Sequence, residues 1–302
     1  MPAASAPYRK AYGRGIPSHA HWGHGSLGEL VLVGLGLFDD SDMSLRAVKV
    51  AHAADSVFAE FYTSALPGAD HERIEQRIGR PVRVLTREDV EQRADTVLDA
   101  AVRGTAVLLV AGDPMAATTH VDLRLRAERR GIRTRLVHGA SIVTAAFTEL
   151  GLSVYKSGRV TTIEWPHGDY FPTSPYEAVR DNLRAGLHTL CLLDIRAEER
   201  RYMTAAEGCR LLLRYEEERH GGALGPDTLA CVVARAGSPD CVRRAGALAD
   251  LARGDFGGPL HCVVLPGQMH FMEAEALVTL AGAPKELLEQ HGCGGDAQGP
   301  SR

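Results

Sequence analysis

Short continuous apolar runs alternate along this chain with stretches in which apolar residues recur every three or four positions. Residues 30–33 form the first apolar run, and a helical pattern follows through Leu45, Val48, Ala51 and His52. Residues 56–59 then read as a strand, 70–78 as a helix, 81–85 as a strand and 88–102 as one long helix. A strand at 105–111, a helix at 119–130 and a strand at 134–137 complete the first half. Strand and helix alternating in this way predict a largely parallel sheet covered on both faces.

The second half carries more strand signal and less helix. Residues 159–165 are β-branched and alternating, and a proline-bearing loop at 166–175 precedes a helix over 176–183. A continuous apolar strand is expected at 188–195, a long amphipathic helix at 204–218 and a strand at 228–234. Short helical spacing at 248–251, a strand at 260–265 and a helix at 271–280 follow. This pattern predicts a second, mixed α/β unit. The expected organisation is an extension at 1–27, a first lobe at 28–146, a second lobe at 147–284 and a disordered tail at 285–302. A length of 302 residues agrees with two domains of ~150 residues each.

Composition adds exclusions. Hydrophobic residues make up 45% and charged residues 24%, as in ordinary globular proteins. No apolar run approaches the ~20 residues needed to span a bilayer. The charged residues Arg9, Lys10 and Arg14 are followed by no apolar core, so no secretory signal is expected and the cytoplasm is the expected compartment. A net charge of −4 argues against a nucleic-acid surface. Six scattered cysteines without a Cys-x-x-Cys pair fit a reducing compartment and neither a disulfide framework nor a zinc ribbon. His19, His21 and His24 surround Trp22, but no carboxylate or thiol completes a ligand set, so no metal is expected.

The candidate chemistry lies at strand ends. Gly112-Asp113-Pro114 terminates the apolar run at 105–111, setting bare backbone and one acid at the carboxyl edge of a sheet, where open α/β folds bind small ligands. The same three residues also favour a simple turn. Gly34-Leu-Gly-Leu37 follows the first strand, but Asp39 stands where a dinucleotide fingerprint requires its third glycine. An acid there opposes a pyrophosphate at a helix amino terminus, so a nicotinamide dehydrogenase is disfavoured. The two glycines still mark a close approach of ligand or backbone. Glu60, at a strand end, is either a ribose ligand or a solvated carboxylate. Ser141 begins a helix as a cap or as a ligand contact. His261 reads as a strand-start residue, a base or a ligand contact. No Gly-x-Ser-x-Gly elbow, Walker loop or His-Glu-x-x-His is present, which points to a bound small cofactor and not to a protein nucleophile.

Taken together, Gly34-Leu-Gly-Leu37, Glu60-Phe-Tyr-Thr-Ser64, Gly112-Asp-Pro-Met115, Thr118-Thr-His120 and Ser141-Ile142 resemble the diphthine synthase family. Pro172-Thr-Ser-Pro-Tyr176, the 186–195 segment, Tyr202-Met-Thr204, the 234–238 segment and His270-Phe-Met-Glu-Ala-Glu275 extend the resemblance from about Gly28 to about Pro284. The resemblance implies two α/β lobes of the tetrapyrrole-methylase type with S-adenosyl-L-methionine in the cleft between them. It implies repeated methyl transfer onto the amine of a 3-amino-3-carboxypropyl group on a histidine of elongation factor 2, in a homodimeric enzyme. Cofactor contacts implied in the same way are Leu37, Asp113, Ala116, Ser141, Ile142, Leu192, Ala234 and His261. Ala116 is smaller than the resemblance leads one to expect there, which a backbone contact would tolerate. Tyr62 or Trp165 is a candidate aromatic face for the developing ammonium. No general base is identified. The competing readings are a related methyltransferase acting on a tetrapyrrole or ribosomal RNA, and a non-catalytic cofactor-binding partner of elongation factor 2.

Overall fold

The computed structural model describes residues 28–291, Asp169 apart. Its first sheet is built from β1 (Glu29–Gly34), β2 (Ser56–Glu60), β3 (Arg83–Leu85), β4 (Thr105–Val110) and β5 (Arg133–Val137). They lie in the order β3-β2-β4-β1-β5 and are all parallel. After their first residues, Glu29 and Thr105, the central strands β1 and β4 carry no polar side chain because both of their faces are covered. Leu30, Leu32, Leu108 and Val110 point to one side, where they meet Val97, Leu98 and Leu123. These three belong to helices α4 (Asp95–Arg103) and α5 (Val121–Arg129). Val31, Val33, Val107 and Leu109 point to the other side. There α1 (Leu45–Ala53) and α2 (His71–Ile78) contribute Ala47, Ala51, Ile74 and Ile78. Side chains that alternate along a strand thus fill two separate cores.

The expected helix at 88–102 is two helices, α3 (Arg87–Glu91) and α4. Buried positions 90, 94, 97, 98 and 101 keep a helical spacing across the break, so the pattern disguised it. The Glu91 carbonyl is taken instead by the Arg126 guanidinium at 2.8 Å, a tertiary contact that caps α3.

The second sheet contains β6 (Thr161–Ile163), β7 (Thr189–Leu193), β10 (Leu229–Ala234), β11 (Val242–Ala247) and β12 (His261–Leu265), in the order β11-β10-β12-β7-β6. All neighbours in it are antiparallel except β6 with β7. One face carries α7 (Ser174–Arg184), α8 (Ala205–Arg219) and α9 (Leu248–Leu251), with Tyr176, Leu212, Tyr215 and Leu251 in the core. The other face carries α6 (Ile142–Glu149), α10 (Phe271–Ala281) and α11 (Glu286–His291) through Phe147, Leu277 and Leu287. Helix α6 therefore belongs by packing to the second sheet.

Three further expectations are corrected. The strand expected at 188–195 ends at Leu193, and Ile195–Arg196 (β8) pairs instead with Arg201–Tyr202 (β9) in a separate ribbon. Asp194 breaks the run because its carboxylate turns to accept the Trp165 backbone N–H at 3.1 Å. Strand β11 escapes the sequence pattern, since Val-Arg-Arg-Ala-Gly-Ala lacks an apolar alternation. Part of the expected disordered tail is helix α11, anchored by buried Leu287. The extension at 1–27 and residues 292–302 lie outside the described residues, as do His19, His21 and His24.

Candidate functional site

Three strand ends meet at the carboxyl edge of the first sheet and fix the floor of a cavity. The turn after β1 and the turn after β4 bond to each other, Gly112 N–H to Gly36 O at 2.7 Å. A Cβ on Gly34 would lie 2.5 Å from the Gly112 carbonyl oxygen and 2.5 Å from the Gly139 nitrogen. Only glycine permits that approach, so the first turn is shaped by neighbouring backbone and not by a dinucleotide. Asp39 caps a short turn at Asp40–Asp42, its side chain accepting from Ser41 N–H. Above this floor the second sheet presents the end of β7, the turn after β10 and the start of β12, which antiparallel pairing brings to one edge.

Between them lies a cavity of about 570 Å³, within the ~300–1,000 Å³ range of small-molecule sites. Leu37, Asp113, Ala116, Ser141, Ile142, Leu192 and His261 all line it. Ala234 does not: it is fully buried in β10, facing the core, and its neighbours Arg235 and Ala236 reach the cavity in its place. Alternation along a strand turns such a one-residue offset into a change of face.

The side chains are held from both lobes. Asp113 accepts from the Met115 N–H at 2.9 Å and from the His138 Nδ1–H at 2.7 Å, so its carboxylate is fixed at the cavity wall. Ser141 accepts from the Val143 N–H at 3.2 Å and caps α6, whose first N–H groups have no intrahelical acceptor and open toward the cavity. His261 is fully committed: its Nδ1 accepts from Ala205 N–H at 3.1 Å and its Nε2–H donates to Gly258 O at 2.8 Å. Burial lowers its pKa, and with both nitrogens engaged it lines the site without serving as a base. Arg235 is likewise locked, donating to Asp240, Phe256 O and Gly258 O at 2.7 Å each.

Glu60 fits neither reading made of it. It is completely buried behind the cavity wall, accepting the Tyr62 and Thr63 N–H groups at 3.0 and 3.1 Å and the Thr63 hydroxyl at 2.5 Å. Tyr62 and Thr63 line the cavity, whereas Trp165 is buried away from it under the guanidinium of Arg201, 4.1 Å from the ring centre. Arg87 and Glu91 on α3, which the sequence did not reveal, also line the site, as do Asp194 and Arg235 from the 186–195 and 234–238 segments. His138 was missed as the partner of Asp113, although a polar residue ending an apolar strand was a usable signal. Nothing in the sequence places α3 beside this edge.

Cys262 lines the cavity, but no buried thiol is ionised enough to act as a nucleophile there. Cys191, Cys231 and Cys262 sit inside strands, and burial holds the thiols of Cys209 and Cys262 up near about 12.

Residues 29–252 match the family of Tetrapyrrole (Corrin/Porphyrin) Methylases. The diphthine synthase of Methanothermobacter thermautotrophicus is 48% identical over 261 residues, covering 86% of this chain and 98% of that protein. That of Methanocella arvoryzae is 50% identical over 254 residues, covering 84% and 98%. A crystal structure of diphthine synthase superimposes with a TM-score of 0.79 at 36% identity, covering 87% of this chain and 99% of that one. Among the described residues no helix is long and apolar enough to cross a membrane. The chain belongs to the tetrapyrrole methylase family and, within it, groups with the diphthine synthases.

Proposed function

We propose that this chain transfers methyl groups, one after another, onto the amine of the 3-amino-3-carboxypropyl group on a histidine of elongation factor 2, as a cytoplasmic homodimer. The chain is an S-adenosyl-L-methionine-dependent methyltransferase by family. When bound, that cofactor supplies a methyl group activated on a sulfonium. The residues present suit it. Asp113 offers a fixed acceptor, the start of α6 offers backbone donors, and Leu37, Ile142 and Leu192 offer apolar walls beside Ala116, Ser141 and His261. Arg235 and Ala236 replace Ala234 in this set.

The chain's own contribution is alignment. Direct displacement at a methyl carbon needs no protein nucleophile, and effective molarity rises steeply when the partners are held in line. Tyr62 borders the cavity, but its ring is buried with the Arg87 guanidinium 5.0 Å from its centre, so it is not the free aromatic face expected for a cationic amine. We further propose that the first lobe ends near residue 140, because α6 packs on the second sheet.

The convergence on one cavity of Asp113 from the first sheet and Leu192 and His261 from the second carries this reading. Its test is incubation with labelled S-adenosyl-L-methionine and elongation factor 2 bearing the aminocarboxypropyl-histidine, followed by mass analysis of the modified peptide. Mass rising in steps of one methyl supports the reading. Donor binding with no mass change, or methylation of ribosomal RNA or a porphyrinoid instead, overturns it.

A further inference from the structure

Each methyl transfer to a primary or secondary amine leaves a protonated product nitrogen, which must lose a proton before it can attack again. The cavity's own histidine is occupied at both nitrogens, one Asp194 oxygen accepts the Trp165 backbone N–H, and Glu91 accepts from the Thr119 hydroxyl at 2.9 Å. We infer, resting on the methyltransferase reading above, that Thr63, Glu60 and His120 form a proton relay behind the cavity wall, with Glu60 receiving the proton that the substrate amine releases. Thr63 lines the cavity and donates its hydroxyl to Glu60 Oε1 at 2.5 Å. Glu60 Oε1 in turn lies 3.5 Å from His120 Nε2, with both side chains wholly buried.

The donor count makes this chain open-ended. His120 Nδ1–H donates to Pro114 O at 3.1 Å, which leaves a lone pair on Nε2. That buried nitrogen has no hydrogen-bond partner. A buried polar atom left unpaired is costly, and this one stands next to a carboxylate able to share a proton with it. Burial also raises the Glu60 pKa, which makes the carboxylate a stronger proton acceptor than an exposed glutamate. Tyr62 on the same loop is the other titratable group facing Glu60, and Arg87 and Glu91 on α3 lie in turn around Tyr62.

The step balances. An ammonium N–H bond breaks and its electron pair stays on nitrogen. The proton passes to Thr63 Oγ1 as the hydroxyl's own proton moves to Glu60 Oε1, where His120 Nε2 can share it. It returns to solvent by the same hydroxyl once the product has left. Thr63 is the catalytic residue of the relay, and Glu60 and His120 act through it.

The variants Glu60→Gln and Thr63→Val test this in the full chain. In Glu60→Gln the side-chain amide oxygen still accepts the two backbone N–H groups but takes no proton. Single-turnover methyl transfer, measured from about pH 6 to about pH 9, is expected to fall roughly 10–100-fold near neutral pH. The loss should shrink as pH rises and the free amine supplies itself, while calorimetric affinity for S-adenosyl-L-methionine stays unchanged. Thr63→Ser should restore the wild-type profile. Wild-type rates in Glu60→Gln or Thr63→Val, or a loss constant across pH, overturn the inference. The carboxyl stretch of Glu60 in the unaltered protein, assigned by its loss in Glu60→Gln infrared spectra, gives a readout free of turnover: a protonated-carboxyl band that comes and goes with pH supports the relay, and no such band at any pH sinks it. Absence of methyl transfer by the wild-type protein would instead refute the assigned reaction.

Discussion

Each lobe buries one histidine against one glutamate, and the two pairs are finished in opposite ways. In the second lobe, Glu273 accepts from Lys156 Nζ at 2.8 Å, His188 Nε2–H at 3.0 Å, and the Ser153 and His270 N–H groups at 2.8 Å each. The other nitrogen of His188 accepts from Gly267 N–H at 2.9 Å. Every donor and acceptor is met, and these bonds hold the Glu273 pKa down to about 2 despite its burial. In the first lobe, Glu60 has no cationic side chain bonded to it, His120 keeps an unpaired nitrogen, and burial raises the carboxyl pKa. The saturated pair lies within the fold, clamping the segment after α6 to the start of α10. The unsaturated pair lies directly behind a cavity-lining hydroxyl. A buried charge that is fully bonded stabilises; one left partly unbonded is retained for chemistry at a cost in stability.

The comparison breaks first at stability. Glu273→Ala strands His188 and Lys156 and is expected to cost about 3–5 kcal/mol in urea denaturation. Glu60→Gln removes a poorly compensated buried charge, so the midpoint should stay within about 1 kcal/mol of wild type or rise. Equal large losses in both variants would erase the distinction.

Acid should sharpen it next. The Glu273 pKa is depressed, so its contribution is complete above the ordinary glutamate value and is lost as pH falls from about 4.5 to about 2, roughly 3 kcal/mol in all. Burial also lowers the His188 pKa, so its neutral form stabilises the fold above about pH 6.5 and that contribution shrinks below it. Glu60 has the opposite sign: its raised pKa destabilises the fold most at high pH and is relieved by acid. Thermal unfolding followed from neutral to acid pH should show wild type losing stability and Glu273→Gln losing clearly less of it. Parallel curves would contradict the assignment.

Smaller effects sit at the periphery of each lobe. His138→Ala frees one Asp113 oxygen and should weaken S-adenosyl-L-methionine binding about three- to tenfold by calorimetry, as a partly exposed hydrogen bond warrants. In the second lobe, Arg201→Ala uncovers Trp165 and should cost less than about 1 kcal/mol, with donor affinity unchanged.

Much of this was legible from residue order alone. Runs such as Leu-Val-Leu-Val at 30–33 and Ala-Val-Leu-Leu-Val at 106–110 announce strands buried on both faces, and Gly-Asp-Pro at 112–114 announces an acid at their edge. Tertiary contacts hid the rest. The Arg126 side chain takes the free carbonyl at the end of α3, and packing beside α10 makes Leu287 a core residue. Glu60 reads from sequence as a surface strand end, because nothing local says that His120, sixty residues later, will fold over it. Ala234 missed the cavity by one position, the distance that turns a strand residue to the other face.

Calorimetric titration of S-adenosyl-L-methionine into the wild-type protein and into Asp113→Ala tests the central claim most directly, that both lobes close on one donor site walled by Asp113 and the start of α6. Saturable heat at one site per chain, abolished or weakened at least tenfold by the substitution, is the predicted result. No heat from folded wild-type protein, or equal binding by the two, would contradict it.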